Sequence, residues 1–146
     1  MDTLQCAVVL AKLERFEWEL AQRARIADRY ESLLANLPGV QTIRVRSDRN
    51  SVYAQYTVIV EHRDAVAAAL KAQGVPTAVH YPRALNQQPA YARYCCPECC
   101  VNSRWAAEHV LSLPMSADLS EADQDRVVAA LGLAVAAQAT APALAI

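Results

Sequence analysis

Apolar positions along residues 2–37 recur at helical spacing, and no Gly or Pro interrupts them before Pro38. Leu4, Ala7, Val8 and Ala11 share one face, and Leu13, Phe16 and Leu20 carry the stripe on with a slow drift. Ile26, Tyr30, Leu33, Leu34 and Leu37 complete it. Asp2 caps the start with Gln5 three residues on, in capping-box position. Glu19 and Arg23 have the spacing of an i,i+4 ion pair. The pattern predicts one helix of roughly 35 residues, about three times the usual length. Its apolar positions hold no strict heptad, so a bridge between two parts of a larger body is expected rather than a coiled coil.

The period changes after Pro38-Gly39. Residues 40–45 alternate and predict a short strand, residues 46–51 form a charged turn, and the β-branched, aromatic run 52–60 predicts the strongest strand. Asp64 is expected to cap a second helix, with Val66 and Leu70 one turn apart and Gly74 as its stop. Residues 75–79 predict a third short strand. Residues 80–100 carry three prolines and little periodicity, which reads as a long ordered loop with a helical turn near 89–91. A short helix (102–110), a strand (111–113) and a last helix follow, the last capped by Ser120 with Asp123 at N3 and ending near residue 134. The Ala-rich residues 135–146 are expected to be a disordered tail. The order predicts an α+β fold over residues 1–134, with helices packed on a small, mainly antiparallel sheet.

Composition narrows the function classes. The 146 residues make one ordinary domain, large enough to fold without a metal or disulfide. The hydrophobic fraction of 54% includes 29 alanines, so much of it is methyl groups rather than bulky core. With 14 basic against 15 acidic residues the net charge is −1, which argues against nucleic acid and polybasic membrane-surface partners. The longest apolar run, residues 127–137, falls short of the ~20 residues needed to cross a bilayer, and no secretory leader is evident. No membrane insertion is expected, and the location expected is cytoplasmic. Only Lys12 and Lys71 are lysines, so lysine chemistry has two candidates.

Four cysteines, Cys95, Cys96, Cys99 and Cys100, crowd into the run CCPECC, and Cys6 stands alone. Cys96 and Cys99 have the C-x2-C spacing of zinc or redox sites. A structural zinc normally draws its ligand pairs from separate segments, and the nearby candidate, His109, falls inside a predicted helix without a partner. No metal site is therefore expected, and a metal, redox chemistry or a plain cysteine-rich loop stay as alternatives for the cluster. His80-Tyr81-Pro82 follows a predicted strand directly, with Pro82 holding Tyr81 extended, so an imidazole and a phenol project from a strand end. Both either face a cleft or satisfy backbone groups, and Gln88 and Tyr91 share those two readings. Arg44, Arg46 and Arg49, with Asp48 among them, read as a solvated turn or a phosphate contact. The glycines at 39, 74 and 132 are scattered, which excludes a Gly-rich phosphate loop, and no G-x-S-x-G or H-E-x-x-H motif is present.

Three ordered motifs carry a family resemblance. Residues 74–82 (GVPTAVHYP), 85–91 (LNQQPAY) and 110–115 (VLSLPM) resemble the C-terminal part of the DegT/StrS-type sugar aminotransferases, which show G-I-x-T-x-x-H-Y-P-x-P-L-H-x-Q-P-A-Y followed by L-S-L-P-M. The opening MDTLQCA is similar to that family's R-M-D-x-x-Q-A-A segment, and Tyr53, Tyr56, Arg63 and Asp64 fall at the expected intervals. The resemblance covers about residues 1–131, and within the family it is nearest to enzymes that aminate a UDP-linked 3-keto sugar uronate for bacterial O-antigen or lipopolysaccharide synthesis. It implies the small domain of a fold type I transferase that uses pyridoxal phosphate (PLP), with the long first helix linking two domains. It also implies ping-pong chemistry in the complete enzyme, from an amino-acid donor such as glutamate to the ketosugar.

The resemblance places His80 and Tyr81 on a loop closing over the substrate, with Gln88 and Tyr91 shaping that loop. Neither Lys12 nor Lys71 stands on a motif similar to the family's Schiff-base lysine, so no catalytic residue is expected here and no PLP bound to this chain alone. The implied partners are a large PLP-binding domain or a second subunit, with a homo-oligomer also open. The chain is then either cut to one domain or the product of a truncated frame. A non-catalytic binding or oligomerisation module and a cysteine-cluster metal module are the competing expectations. The sequence departs from the family pattern at Arg83-Ala84, where x-Pro is usual, at Asn86 in place of His, at Ser103 where Glu is common, and across the cysteine loop.

Overall fold

The computed structural model describes residues 2–91, 93–96 and 98–140. The first helical segment is two helices, α1 (Thr3–Leu13) and α2 (Phe16–Leu34), rather than one. The ladder breaks at Glu14-Arg15, where the Arg15 N–H donates to the Lys12 carbonyl and Arg15 adopts φ −103°, ψ 1°. Neither Gly nor Pro causes this break, which is why residue type gave no sign of it. The Asp2–Gln5 capping box forms as expected, the Gln5 N–H donating to Asp2 at 2.8 Å. The spacing of Glu19 and Arg23 does not become an ion pair, because Arg23 turns to donate to the Tyr53 carbonyl at 3.1 Å.

Three strands form one antiparallel sheet in the order β1 (Val40–Thr42), β2 (Tyr56–Val60), β3 (Val110–Leu113). Val40 faces Val60, and Tyr56 faces Leu113. Alternation along β2 sends Tyr56, Val58 and Val60 to a buried face. Those three, with Leu111 and Leu113, pack against Ile26, Tyr30 and Leu34 of α2, Val66 and Leu70 of α3 (Arg63–Ala72), and Val127 and Leu131 of α5 (Glu121–Ala139). The architecture is α+β, as the periodicity predicts. Residues 75–79 pair only through Ala78 with Ser112, because the segment then turns away into the loop.

Two polar contacts pin the layers. Tyr30 donates to the Pro114 carbonyl at 3.0 Å, and buried Gln124 donates to the Ile26 carbonyl at 2.9 Å. At the rim, Arg29 of α2 pairs with Asp125 of α5 at 2.9 Å. Asp64 does not cap α3. His62 holds that position in the left-handed conformation, φ 50°, while the Asp64 carboxylate pairs with buried Arg63 at 2.7 Å. Ser120 caps α5 and accepts from the Asp123 N–H at 3.1 Å, as expected.

Helix α5 runs on through Ala139, past the boundary expected at residue 134, and its middle packs on the chain reversal after α2. Leu37 lies 3.2 Å from a Cβ placed on Gly132, and Val135 lies against Gly39. The remainder of the expected tail, residues 141–146, lies outside the described residues. By contrast α1 contributes no buried side chain, and Leu4, Val8, Leu10 and Leu13 lie exposed along it. Among the described residues no helix is long and apolar enough to cross a membrane.

Candidate functional site

Two backbone hydrogen bonds fix the approach to the candidate site. Ala78 donates to the Ser112 carbonyl at 3.1 Å and accepts from the Ser112 N–H at 2.8 Å, so residues 78–80 leave the edge of β3 in a set direction. His80 and Tyr81 follow, joined by a cis peptide bond, with their rings edge to face at 5.8 Å. Both are exposed, Tyr81 at 74%.

His80 stands between two open grooves. One, of about 260 Å³, is lined on its polar side by Gln55, Thr77, His80 and Ser112. The other, of about 320 Å³, runs under the loop between His80, Tyr81 and Arg83 and the α4 helix (Val101–His109), which supplies Ser103 and Ala106. No carboxylate lines the second groove, whereas a guanidinium, an imidazole, a phenol and a hydroxyl do. Such a set receives an anion: a guanidinium matches a carboxylate or phosphate in a bidentate fork, and the neutral donors complete its hydrogen bonds.

Gln88 and Tyr91 line neither groove. Gln88 lies between two 3-10 turns, Leu85–Gln87 and Pro89–Tyr91, and its carbonyl accepts from the Tyr91 N–H at 2.9 Å. The turns brace the loop from behind, with the Gln87 side chain accepting from the Ala84 N–H at 3.2 Å. Arg83, Gln55 and Ser112 enter the grooves without having been singled out as site residues. Arg83 had signalled itself only as a departure from the family pattern, and Ser112 only as part of the VLSLPM run.

The two lysines do not build a cofactor site. A pyridoxal site needs an amine to hold the aldehyde, a carboxylate facing the ring nitrogen and a cradle for the phosphate. Lys12 is exposed on α1. Lys71 opens on a groove lined otherwise by Ala67, Ala68, Pro76 and Thr77, which offers one hydroxyl and no carboxylate. Among the described residues, the surroundings of the two lysines do not fit PLP.

The cysteine cluster gathers no third ligand. Among the described residues no group of three or more His, Cys, Asp or Glu side chains is placed to hold a metal ion. His109 is engaged elsewhere, stacked on Trp105 at 4.4 Å, with Nε2 3.4 Å from Glu61. The arginine turn is the solvated one, with Arg46 doubly bonded to Asp48 at 2.9 Å.

Comparison with known proteins gives a consistent picture. Residues 1–132 match the model of the DegT/DnrJ/EryC1/StrS aminotransferase family. The chain is 47% identical over 133 residues to UDP-2-acetamido-2-deoxy-3-oxo-D-glucuronate aminotransferase of Pseudomonas aeruginosa, covering 90% of this chain and 36% of that protein. Its fold superposes with a TM-score of 0.82 and 38% identity on an aminotransferase of this group from Brucella abortus, covering 90% of this chain and 35% of the other. The same holds, at 0.84 and 32% identity, for the Streptomyces venezuelae enzyme DesV in complex with a ketimine intermediate, over 91% of this chain and 36% of the other. The chain thus spans about a third of the length of the proteins it matches.

Proposed function

Because the chain belongs to the DegT/DnrJ/EryC1/StrS aminotransferase family, we propose that it forms the substrate-closing portion of a PLP-dependent aminotransferase acting on a UDP-linked keto sugar uronate. The observation that carries this reading is the acid-free groove beneath His80, Tyr81 and Arg83. Its donors suit a sugar carboxylate, and the relative at 47% identity is named for a substrate with that carboxylate. Arg83 takes the carboxylate, His80 and Tyr81 donate to sugar oxygens at the groove mouth, and the loop excludes water from one side of the substrate. Gln88 and Tyr91 hold the loop's shape. The setting is bacterial lipopolysaccharide or O-antigen synthesis in the cytoplasm.

The cofactor and its lysine come from a large domain or second subunit, since neither Lys12 nor Lys71 has the surroundings the cofactor needs. When present, that group carries the amino nitrogen from an amino-acid donor to the ketosugar. The exposed apolar strip of α1 is the surface that such a body covers, because Leu4, at 81% exposure, and Val8 have no partner within this chain's core.

Titration with UDP-N-acetylglucuronate, followed residue by residue by NMR, tests the substrate assignment. Shifts concentrated at His80, Tyr81, Arg83 and Ser103 are expected, with weaker ones for UDP-N-acetylglucosamine, which lacks the sugar carboxylate. Shifts elsewhere, or equal responses to both sugars, refute it. Borohydride reduction after incubation with PLP tests the second half: stoichiometric labelling of Lys12 or Lys71 overturns the assignment of the cofactor to another body.

A further inference from the structure

The cysteine run is not absorbed by the aminotransferase reading, and its geometry is specific. The Cys99 N–H donates to the Cys96 carbonyl at 3.3 Å, closing a turn, and the two thiols lie within hydrogen-bonding reach of each other. All four cysteines of the run are exposed free thiols, so oxidants reach them from solvent. The turn is also anchored: buried Asn86 donates through Nδ2 to the Cys96 carbonyl at 3.2 Å. Asn86 follows Leu85, which lines the groove under His80 and Tyr81. Five residues beyond Cys96, the chain enters α4, whose Ser103 and Ala106 form the groove's other wall.

We propose that Cys96 and Cys99 are a thiol–disulfide exchange site, with Cys96 the attacking thiol and Cys99 the resolving one, toward low-molecular-weight disulfides of the glutathione type. The Cys96 thiolate attacks one sulfur of the oxidant, whose S–S bond breaks as the Cys96–sulfur bond forms and one thiolate leaves. Cys99, after losing its proton to solvent, attacks the Cys96 sulfur and expels the second thiolate. In sum, two protein thiols give up two electrons and two protons, and one disulfide becomes two thiols. Closing the pair locks the strap between the substrate loop and α4.

The assignment of roles rests on an asymmetry between the two thiols. They share a hydrogen bond that holds Cys96 below the usual thiol value, with a further hydrogen bond from the backbone at Glu98. The same shared bond pushes Cys99 above that value.

Intact mass spectrometry of the full chain decides this. A Cys6→Ser/Cys95→Ser/Cys100→Ser protein keeps only the pair, and exposed or half-exposed positions tolerate the change. With oxidised glutathione at neutral pH, a product lighter by two hydrogens and free of adduct is expected. Adding Cys99→Ser is expected to trap one glutathione on Cys96. A lasting adduct on Cys96 while Cys99 is present overturns the proposal. None of these readouts involves sugar or cofactor, so the result is independent of the aminotransferase reading.

Discussion

Gly39→Ala tests how the end of α5 is held. Gly39 has φ +77°, and a Cβ there would lie 2.6 Å from Val135 Cγ1. The first cost is the left-handed backbone, about 1–2 kcal/mol for a residue with a side chain. The second is overpacking, about 1–3 kcal/mol, since a β-branched valine has few rotamers into which it can retreat. Together they give a central loss of about 3 kcal/mol, which for a domain of this size lowers Tm by roughly 6–12 °C. The two terms separate in a double-mutant cycle with Val135→Ala, which removes the colliding methyl but leaves the φ penalty. Urea unfolding of the four proteins, followed by far-UV circular dichroism, should show the pair coupling favourably by about 1–3 kcal/mol relative to the sum of single losses. Additivity within about 0.5 kcal/mol would refute the reasoning. It would mean that Val135 does not pack on the 38–39 turn, as the expected boundary at residue 134 requires.

Other outcomes follow from the same contacts. Arg83→Ala should weaken UDP-N-acetylglucuronate binding by roughly tenfold or more, the equivalent of one charged hydrogen bond, and leave UDP-N-acetylglucosamine nearly unaffected in calorimetric titration. Val8→Glu on α1 should change this chain's own stability by less than about 0.5 kcal/mol in urea, because no residue of α1 is buried. A larger loss would show that α1 packs on the core. Burial raises the Tyr30 hydroxyl, and burial with the Glu31 hydrogen bond raises that of Tyr56. Their neutral forms therefore favour the folded state fully below about pH 10, the ordinary tyrosine value, and that contribution is lost as pH rises toward the folded values. Tyr56→Phe should flatten the alkaline fall in urea midpoint, and an unchanged slope would count against this assignment.

Local signals in the sequence carried well and long-range ones did not. The caps at Asp2 and Ser120 depend on residues three apart, so their side chains alone specified them. The Glu19–Arg23 spacing was equally local, yet the Tyr53 carbonyl, 30 positions away, claimed the guanidinium. Asp64 had the chemistry of a cap, but the turn placed His62 there and gave Asp64 to Arg63. The division of α1 from α2 was hidden because residues 13–16 contain no helix breaker. Among candidate site residues, the HYP motif located His80 and Tyr81, which the fold does bring to a groove. Arg83 was not singled out because the groove it lines is formed with α4 lying opposite, some twenty residues later in the chain.

The separation of α1 from α2 gives the molecule a built-in gauge. Helices shorter than about 12–15 residues are marginal in water by themselves, and α1 is 11 residues long with a capping box at one end and no buried side chain. On the function proposed above, its order is reinforced by the body that covers the strip running from Leu4 to Leu13. Deuterium uptake by the amides of residues 7–13 is therefore rapid while that strip faces water and slows when a larger body closes over it. The amides around Tyr30, protected by the core in either state, provide the reference clock.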